Sequence, residues 1–536
     1  MSPEEAVAEA DKQVYALVAE RRAELLGESS GFSIEPPENS LRSALLARDE
    51  QAHGFVQELD LVACLQIASE NNRQYQDQRE SLYLAALDLT LERWRFGWQP
   101  AAGAGASANG SLGANDDGAS IDGGASISRL FGNGGRLVMD VGAALFGAIA
   151  EGEGWDAISN LGVSWTQPLL RGSAREVVME PLTQAERNLV YSVRNFERFR
   201  RTFALDVATR YYNLVLTRQT VINELSNVEV LDILSRRNDA IAEAGKLSDL
   251  EASEAAQSLS TSQNQLLRLQ ASFDSQLDSF KLFLGLPIEV EIGLDPEGLA
   301  NLEIESVEEQ LASFEEDQLV RVAFTQRLDY LNEVERLIDS ERRARLSADD
   351  LKMGLDFSAG LNSNSETGKP LAYRSDGSTW NIGLDLDLPV DQLPERNSYR
   401  RSLINLQADR RDLLEFQDSI RADLRDSLRD LTLAEESYKI QERSLALNER
   451  RAKSAKMNLE AGRLRTDLFL DAQRDLTAAR NATDAARVDF TVARLLLFQQ
   501  LELLDIDEQG LVIDWASITA EADTNDSVET ENEDGE

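Results

Sequence analysis

The sequence predicts a mainly α-helical fold with a small β part, built as two copies of a unit of very long helices with a strand hairpin in each. Three observations predict it. Apolar residues recur at three- and four-residue spacing over long stretches, and no Pro or Gly interrupts Arg396 to Glu460. Short segments between the helices alternate strictly between apolar and polar residues. The chain also repeats itself at fixed offsets.

Composition narrows the field. The 536 residues include 54 Lys+Arg against 95 Asp+Glu, a formal net charge of -41, which argues against a nucleic-acid binder because phosphate binding needs a cationic surface. At 42% hydrophobic residues the chain can build a large core. One His and one Cys exclude a disulfide framework and leave no Cys/His zinc site. Only 11 Pro are present, which permits long helices. No apolar run approaches the roughly 18 residues of a transmembrane helix; the longest, Val141 to Ala150, is ten residues of mostly small type. The start, Met1 to Glu5, is acidic and lacks an apolar signal-peptide core, which taken alone points to the cytoplasm.

In chain order, Ala10 to Leu26 is an amphipathic stretch ended by Pro36-Pro37. Residues 55–95 read as helix, stopping near Trp98-Gln99-Pro100. Residues 101–155 turn rich in Gly, Ala, Ser, Asn and Asp. Residues 182–243 and 247–284 read as long helices, and 306–350 as a helix opened by a capping box of Ser306 and Glu309. Residues 353–390 are strand-like and 396–503 return to helix. The tail 521–536 holds eight acidic residues and no basic one, and reads as disordered.

The 65 residues from Arg396 to Glu460 make a rod of roughly 97 Å. Such a rod cannot bury its apolar stripe in a compact domain and must pack on other long helices. In 380–388, Trp380, Ile382, Leu384, Leu386 and Leu388 oppose Asn381, Gly383, Asp385 and Asp387. Met353, Leu355, Phe357, Ala359 and Leu361 likewise oppose Gly354, Asp356, Ser358 and Gly360, and Leu161, Val163 and Trp165 oppose Asn160, Gly162, Ser164 and Thr166. The pattern suits the half-exposed sheet of a soluble protein or a transmembrane β-barrel with a polar lumen.

The duplication is the most informative feature. Ala244-Gly245-Lys246-Leu247 matches Ala461-Gly462-Arg463-Leu464 at an offset of 217, and the same offset pairs Ala255 with Ala472, Phe273 with Phe490 and Leu286 with Leu503. Upstream, Ala68 and Tyr75 match Ala323 and Tyr330 at an offset of 255, so the first copy holds 38 extra residues, assigned to 101–155, in or beside the first hairpin as a long loop or extra strands. One hairpin per copy makes four strands per chain. A barrel needs about eight strands, so several chains must combine, and three would supply twelve.

Certain runs resemble the outer-membrane efflux protein family of TolC-like channel subunits, over about residues 55 to 505. Asp60–Asn72 (DLVACLQIASENN) resembles the family's opening helix, Trp165–Gly172 (WTQPLLRG) its exit from the first hairpin, and Leu459–Gln473 (LEAGRLRTDLFLDAQ) its second helix turn. The resemblance implies an extension over 1–54 and a first repeat over 55–286 with an enlarged hairpin at about 97–170. A second repeat over 287–505 follows, with a hairpin at about 353–390, and then a segment over 506–536. It implies a homotrimer with a 12-stranded barrel in outer-membrane lipid and a periplasmic helical tunnel. The partners implied are a periplasmic membrane-fusion adaptor and an inner-membrane pump of the RND, ABC or MFS type, in tripartite efflux or type I secretion. Departures are the missing signal peptide, read as removed or lost to a misplaced start, the enlarged hairpin, and ends without counterpart. Leu468 stands at the family's first Asp position, with Asp467 just before it, and Glu251 where the family often has Asp.

Three groups are candidate sites. The turns Gly245, Lys246, Leu247, Ser248 and Gly462, Arg463, Leu464, Arg465 end helices and reverse the chain, and the resemblance makes them the periplasmic tip that meets the adaptor. Glu251, Glu254, Asp467 and Asp471 follow those turns; they are either a solvated helix face or, in a trimer, rings of carboxylates gating the entrance with Lys246, Arg463 and Arg465 as counter-charges. Asp356, Asp385 and Asp387 fall on the wet face of their strands and would line a barrel lumen. Cys64 ends a lipobox-like Leu61-Val62-Ala63-Cys64, but no apolar segment precedes it, so it reads as a buried small side chain. Asn115-Asp116-Asp117-Gly118 lacks a calcium ligand set and reads as a surface turn. With His53 the sole histidine and no phosphate loop, enzyme chemistry and cofactors are not expected. The rival to a channel is a soluble or peripheral coiled-coil scaffold.

Overall fold

The computed structural model describes residues 2–27, 32–35, 57–109, 118–148, 155–295, 298–299, 302, 316–507 and 510–513. The capping box at Ser306, the Asn115–Asp117 run, His53 and the acidic tail lie outside them.

The described elements are α1 (Pro3–Leu26), β1 (Gln57–Leu59), α2 (Leu61–Asn71), α3 (Arg73–Arg95), β2 (Gln99–Asn109), β3 (Gly118–Leu130), β4 (Arg136–Ala148), β5 (Asp156–Pro168), α4 (Arg175–Val178), α5 (Glu180–Glu243) and α6 (Asp249–Phe283). They continue with β6 (Ile292–Leu294), α7 (Glu316–Gln326), α8 (Leu328–Asp349), β7 (Gly354–Glu366), β8 (Lys369–Asp387), α9 (Leu393–Glu460), α10 (Thr466–Gln500), β9 (Leu504–Asp507) and β10 (Gly510–Ile513).

The duplication is exact at several boundaries. Adding 255 carries Leu61–Asn71 onto Glu316–Gln326 and the start of α3 onto that of α8; adding 217 carries Asp249–Phe283 onto Thr466–Gln500. Burial follows the same offset. Cys64, Leu65, Ile67 and Ala68 are buried in the first copy, as are Leu319, Val320, Val322 and Ala323 in the second. Burial raises the Cys64 thiol well above its ordinary range, as expected for an inert core cysteine.

Two expectations are corrected. Residues 57–59 are a strand, paired in parallel with Ile292–Leu294, and the helix begins only at Leu61, where the Asp60 carboxylate accepts from the Ala63 amide as an N-cap. The chain also carries six strands in its main sheet, ordered β2-β3-β4-β5-β7-β8, where one hairpin per copy implied four. The stretch 101–155 is largely strand. In β2 the alternation escapes a hydropathy reading because one face is Ala102, Ala104 and Ala106 and the other holds Gly103, Gly105 and Ser107, so the apolar–polar contrast is weak.

The chain divides into two compact units. The first holds residues 1–32, 81–193 and 332–414, and with them the sheet. Its helical part centres on the buried Asp339, which accepts from the Tyr191 hydroxyl at 2.7 Å and pairs with Arg187 at 3.1 Å and Arg342 at 2.9 Å. Burial, reinforced by that bond to Asp339, pushes the Tyr191 hydroxyl up to about 12. The N-terminal helix α1 is capped by Ser2 and Glu5 acting reciprocally, and its Asp11 accepts from Tyr83 at 2.6 Å.

The second unit holds 33–80, 194–331 and 415–536. One core joins Leu319 and Val322 of α7 to Ile420 and Leu424 of α9 and to Phe490, Leu497 and Phe498 of α10. In the first copy the Asn72 amide donates to the Phe283 carbonyl at 2.6 Å, and in the second Arg327 donates to Gln500 at 3.1 Å. These are the same pairs of positions under the two offsets, so each copy ties the start of its helix pair to the end of its returning helix.

Candidate functional site: a two-faced sheet and two glycine turns

Register keeps one set of faces across the whole sheet. Leu137, Met139, Val141 and Leu145 of β4 stand opposite Trp165, Val163, Leu161 and Ala157 of β5, and Leu355, Phe357, Ala359 and Leu361 of β7 stand opposite Leu386, Leu384, Ile382 and Trp380 of β8. Those of β8 are in solvent: Trp380 is 74% exposed, Leu384 68% and Ile382 66%, and Val141, Leu161 and Leu361 on the neighbouring strands are also exposed. No other described element covers them. Arg129 lies over Trp98 and Phe131 at 5.3 and 5.2 Å, and Phe131 meets Trp165 at 5.3 Å, so a cluster of aromatic rings and one guanidinium stands at one end of the band.

The opposite face is mostly polar and rich in glycine, with Leu130, Val138, Phe146 and Ile158 as its large apolar residues. Asp356 stands directly opposite Asp385, and Asp387 opposite Gly354, where it pairs with Arg171 at 2.8 Å. All three carboxylates therefore share the wet face that the sequence assigns them. The sequence reading missed Asp122, Asp140 and Asp156, which register puts on that face too. Several cross-strand pairs match an Asp or Asn to a glycine, among them Gly105 with Asp122, Asp140 with Gly162, Gly142 with Asn160, and Gly360 with Asn381. The side chains of Asp140, Asn160 and Asn381 occupy the space a Cβ on the glycine would need, and Asp122 crowds that of Gly105.

The two turns share one geometry. Gly245 and Gly462 have φ of +70° and +68°. The Gly245 amide donates to Ala242 at 2.8 Å and that of Lys246 to Ile241 at 3.0 Å; the Gly462 amide donates to Leu459 at 3.1 Å and that of Arg463 to Asn458 at 2.8 Å. Both are Schellman motifs, in which a left-handed residue satisfies the last helix carbonyls, a conformation that favours glycine. Near them Leu231 and Leu234 of α5, Ala255 of α6, Ala455 and Leu459 of α9, and Phe469 and Leu470 of α10 form one core, with Leu464 packed on it. The fold brings the two turns together: Asn238 donates to Thr466 at 3.1 Å and Arg237 to the Leu459 carbonyl at 3.2 Å.

The carboxylates after the turns are held differently from one another. The Ser248 hydroxyl caps α6 by accepting from the Glu251 amide at 3.3 Å, and it also lies 3.4 Å from the Glu251 carboxylate. Glu254 is half-buried, and its Oε2 has no hydrogen-bond partner among the described residues. Asp467 pairs with Arg465 at 2.9 Å, whereas Asp471 pairs with Arg474 at 3.3 Å. Lys246 and Arg463 are exposed and make no ion pair with these carboxylates among the described residues. Leu250 and Leu468, one beside each turn, are exposed.

The repeats differ at one further turn. Gly285, with φ of +79°, is matched at the offset of 217 by Glu502, whose φ of 60° makes it the single non-glycine with positive φ among the described residues. Its carboxylate is buried, pairs with Arg198 and lies 3.5 Å from Arg201. Arg198 also pairs with Asp329 at 3.0 Å, and Asp329 with Arg327 at 2.8 Å. Burial raises the Glu502 carboxyl above the usual range, against the pull of the two arginines. Burial acts on Asp329 in the same direction, but its bonds to Arg327 and the charge of Arg198 prevail and lower it. Among the described residues no group of three or more metal-ligating side chains converges.

No family model matches this chain, and no curated protein sequence matches it. Solved structures do. It is similar to CusC, described as forming a transmembrane channel, with 13% identity, 83% of this chain and 93% of that one covered, and a TM-score of 0.60. It is similar to the Campylobacter jejuni CmeC outer membrane channel at 14% identity, covering 87% and 88%, with a TM-score of 0.59. The outer membrane protein VceC of Vibrio cholerae matches at 13% identity, 82% and 96% coverage and a TM-score of 0.59. Identity this low speaks to fold alone, and the duplicated helix pairs with their shared sheet have the TolC-like fold of outer-membrane efflux channels.

Proposed function

We propose that this chain is the subunit of an exit duct in a bacterial outer membrane. One observation carries the reading: a sheet whose large apolar side chains face solvent on one side, backed by a mostly polar, glycine-rich face. Water is a poor solvent for Trp380, Ile382, Leu384 and Leu386 side by side; hydrocarbon is a good one. Leu137 to Leu145 on β4 spans nine residues, a rise of about 23 Å at a tilt of about 40°, which matches the apolar band of outer-membrane barrels.

The sheet has two open edges, β2 and β8. Open backbone edges are not tolerated in lipid, so the wall must close with other copies. Six antiparallel strands are an even number, so β8 of one copy runs antiparallel to β2 of the next, and the pairing continues around a ring. Three copies form the assembly in this reading, with α5, α6, α9 and α10 as tunnel staves. The Gly245 and Gly462 turns, with exposed Leu250, Leu468, Lys246 and Arg463, dock a periplasmic adaptor that delivers substrate from an inner-membrane pump.

Fractionation of cells expressing the chain behind its natural leader tests the reading. Recovery in outer membranes, with three copies by native mass spectrometry in detergent, is expected. Recovery as a soluble monomer would sink the duct and restore the coiled-coil scaffold.

A further inference from the structure

Under the two offsets, β2 corresponds to β7 and β5 to β8; what has no counterpart in the second copy is the hairpin β3–β4. We infer that this inserted hairpin widens the pore, so that three chains close an eighteen-stranded wall whose lumen passes neutral and cationic solutes too wide for a ring of twelve strands. The inference rests on the three-chain duct proposed above.

The hairpin is built as wall and not as a loop. Both its strands have 13 residues, as do β5 and β7, so all four span the same height. Pairing runs without a break from Gly118 opposite Ala148 to Leu130 opposite Arg136, and from Arg136 opposite Thr166 to Phe146 opposite Asp156. The turn joining them is short: Phe131 donates to Gly135 at 2.8 Å and Gly134 to Phe131 at 2.9 Å. Ile121, Val141 and Leu145 stand exposed on the same face as Leu361 and Trp380, so the lipid-facing surface is continuous through the insertion.

Size follows from strand spacing. Strands about 4.8 Å apart and tilted by about 40° give a backbone diameter of about 36 Å for eighteen strands and about 24 Å for twelve. The wall is also thin on its inner side. Asp140, Asn160 and Asn381 lie over glycines of the neighbouring strand, which keeps these side chains close to the wall. Charge sets the preference. Asp122, Asp140, Asp156, Asp356 and Asp385 share the polar face, and Arg136 is the one basic strand residue on it within the regularly paired part of the sheet. Rings of carboxylates favour cations.

The test is polymer exclusion in planar bilayers holding the full chain, with polyethylene glycols of graded size added to one side at a time. From the side of the sheet, the exclusion limit should correspond to a lumen about half as wide again as a twelve-strand ring allows. A KCl gradient should give a reversal potential of cation-selective sign, reduced toward zero by Asp122→Asn with Asp140→Asn and Asp385→Asn. Removing 118–148 should lower the exclusion limit to the twelve-strand value. Electron cryo-microscopy of the full chain counts the strands directly, so the inference stays testable if the deletion does not fold. A conducting pore with the narrower limit from both sides, or a wall of twelve strands, would overturn the inference and leave the duct standing. An anion-selective pore would overturn its charge component. Absence of any conductance or membrane insertion would instead overturn the duct reading beneath it.

Discussion

The carboxylate of Asp140 lies in the space where a Cβ of Gly162 would stand, directly across from it on the neighbouring strand. Asn160, two residues before Gly162, donates to the same carboxylate at 3.1 Å and itself covers Gly142. Glycine in a strand weakens it by about 0.5–1 kcal/mol relative to Ala. Here the missing side chains give a neighbour room to lie flat, so the glycines serve the surface and not the strand.

Gly162→Ala should therefore push Asp140 out of its seat and break its bond from Asn160. A loss of about 1 kcal/mol is expected, the gain in strand propensity being outweighed by the displaced pair. Gly103→Ala is the control. It is on the same face with nothing near its missing Cβ, and should be neutral or slightly stabilising. Thermal unfolding of the two variants in detergent checks the order.

The positive-φ glycines should rank by their surroundings. Gly245 and Gly462 have open space beside them, so Ala at either should cost about 1 kcal/mol for the left-handed backbone alone. At Gly285 a Cβ would overlap the backbone carbonyl of Asn71, and neither chain can yield cheaply. Gly285→Ala should cost at least about twice as much, read as a larger fall in Tm.

Glu502 makes a pH prediction. Its folded-state pKa is raised above the ordinary value of 4.5, so its contribution to stability is fully present below that value and is lost as pH rises through the raised one. Asp329 runs the other way: its contribution is present above the ordinary 3.8 and lost as pH falls through its lowered value. Glu502→Gln removes only the first. The Tm difference between parent and variant should shrink as pH rises from the ordinary carboxylate value upward. A difference that grows with pH would show that the Arg198 and Arg201 pairing dominates over burial.

The turns are tested by charge. On the proposed duct reading, Lys246→Glu with Arg463→Glu should weaken binding of an adaptor by tenfold or more while leaving the proposed three-chain assembly intact, measured by surface-immobilised binding and native mass spectrometry. The double variant Glu251→Ala with Asp471→Ala should change single-channel conductance and cation block. Unchanged values would make these carboxylates a solvated helix face.

Much of the fold was legible because helices obey local rules. The long stretch before Gly462, the repeat offsets and the turns all follow from apolar periodicity and from glycine at fixed places, and the structure ends its helices at Glu243 and Glu460, 217 residues apart. The strands of the second copy were legible too, since Trp380, Ile382, Leu384 and Leu386 alternate with small or acidic residues. Strand β2 of the first copy was not. An alanine between two glycines carries no apolar signal, and only pairing with Gly118–Leu130 makes Gln99–Asn109 a strand.

The sequence by itself determined the long helices and their duplication: which long stretches are helix, where the long rods turn back, and that a strand region follows each outgoing helix. Those depend on neighbours three, four or two positions away. Tertiary structure alone decided how many strands share a sheet, that Asp122 and Asp140 join Asp356 and Asp385 on one face, and that Glu502 accepts a left-handed backbone to reach Arg198 and Arg201. Such facts depend on register and on partners about 300 residues away, where a favourable pairing can override a weak or contrary local preference.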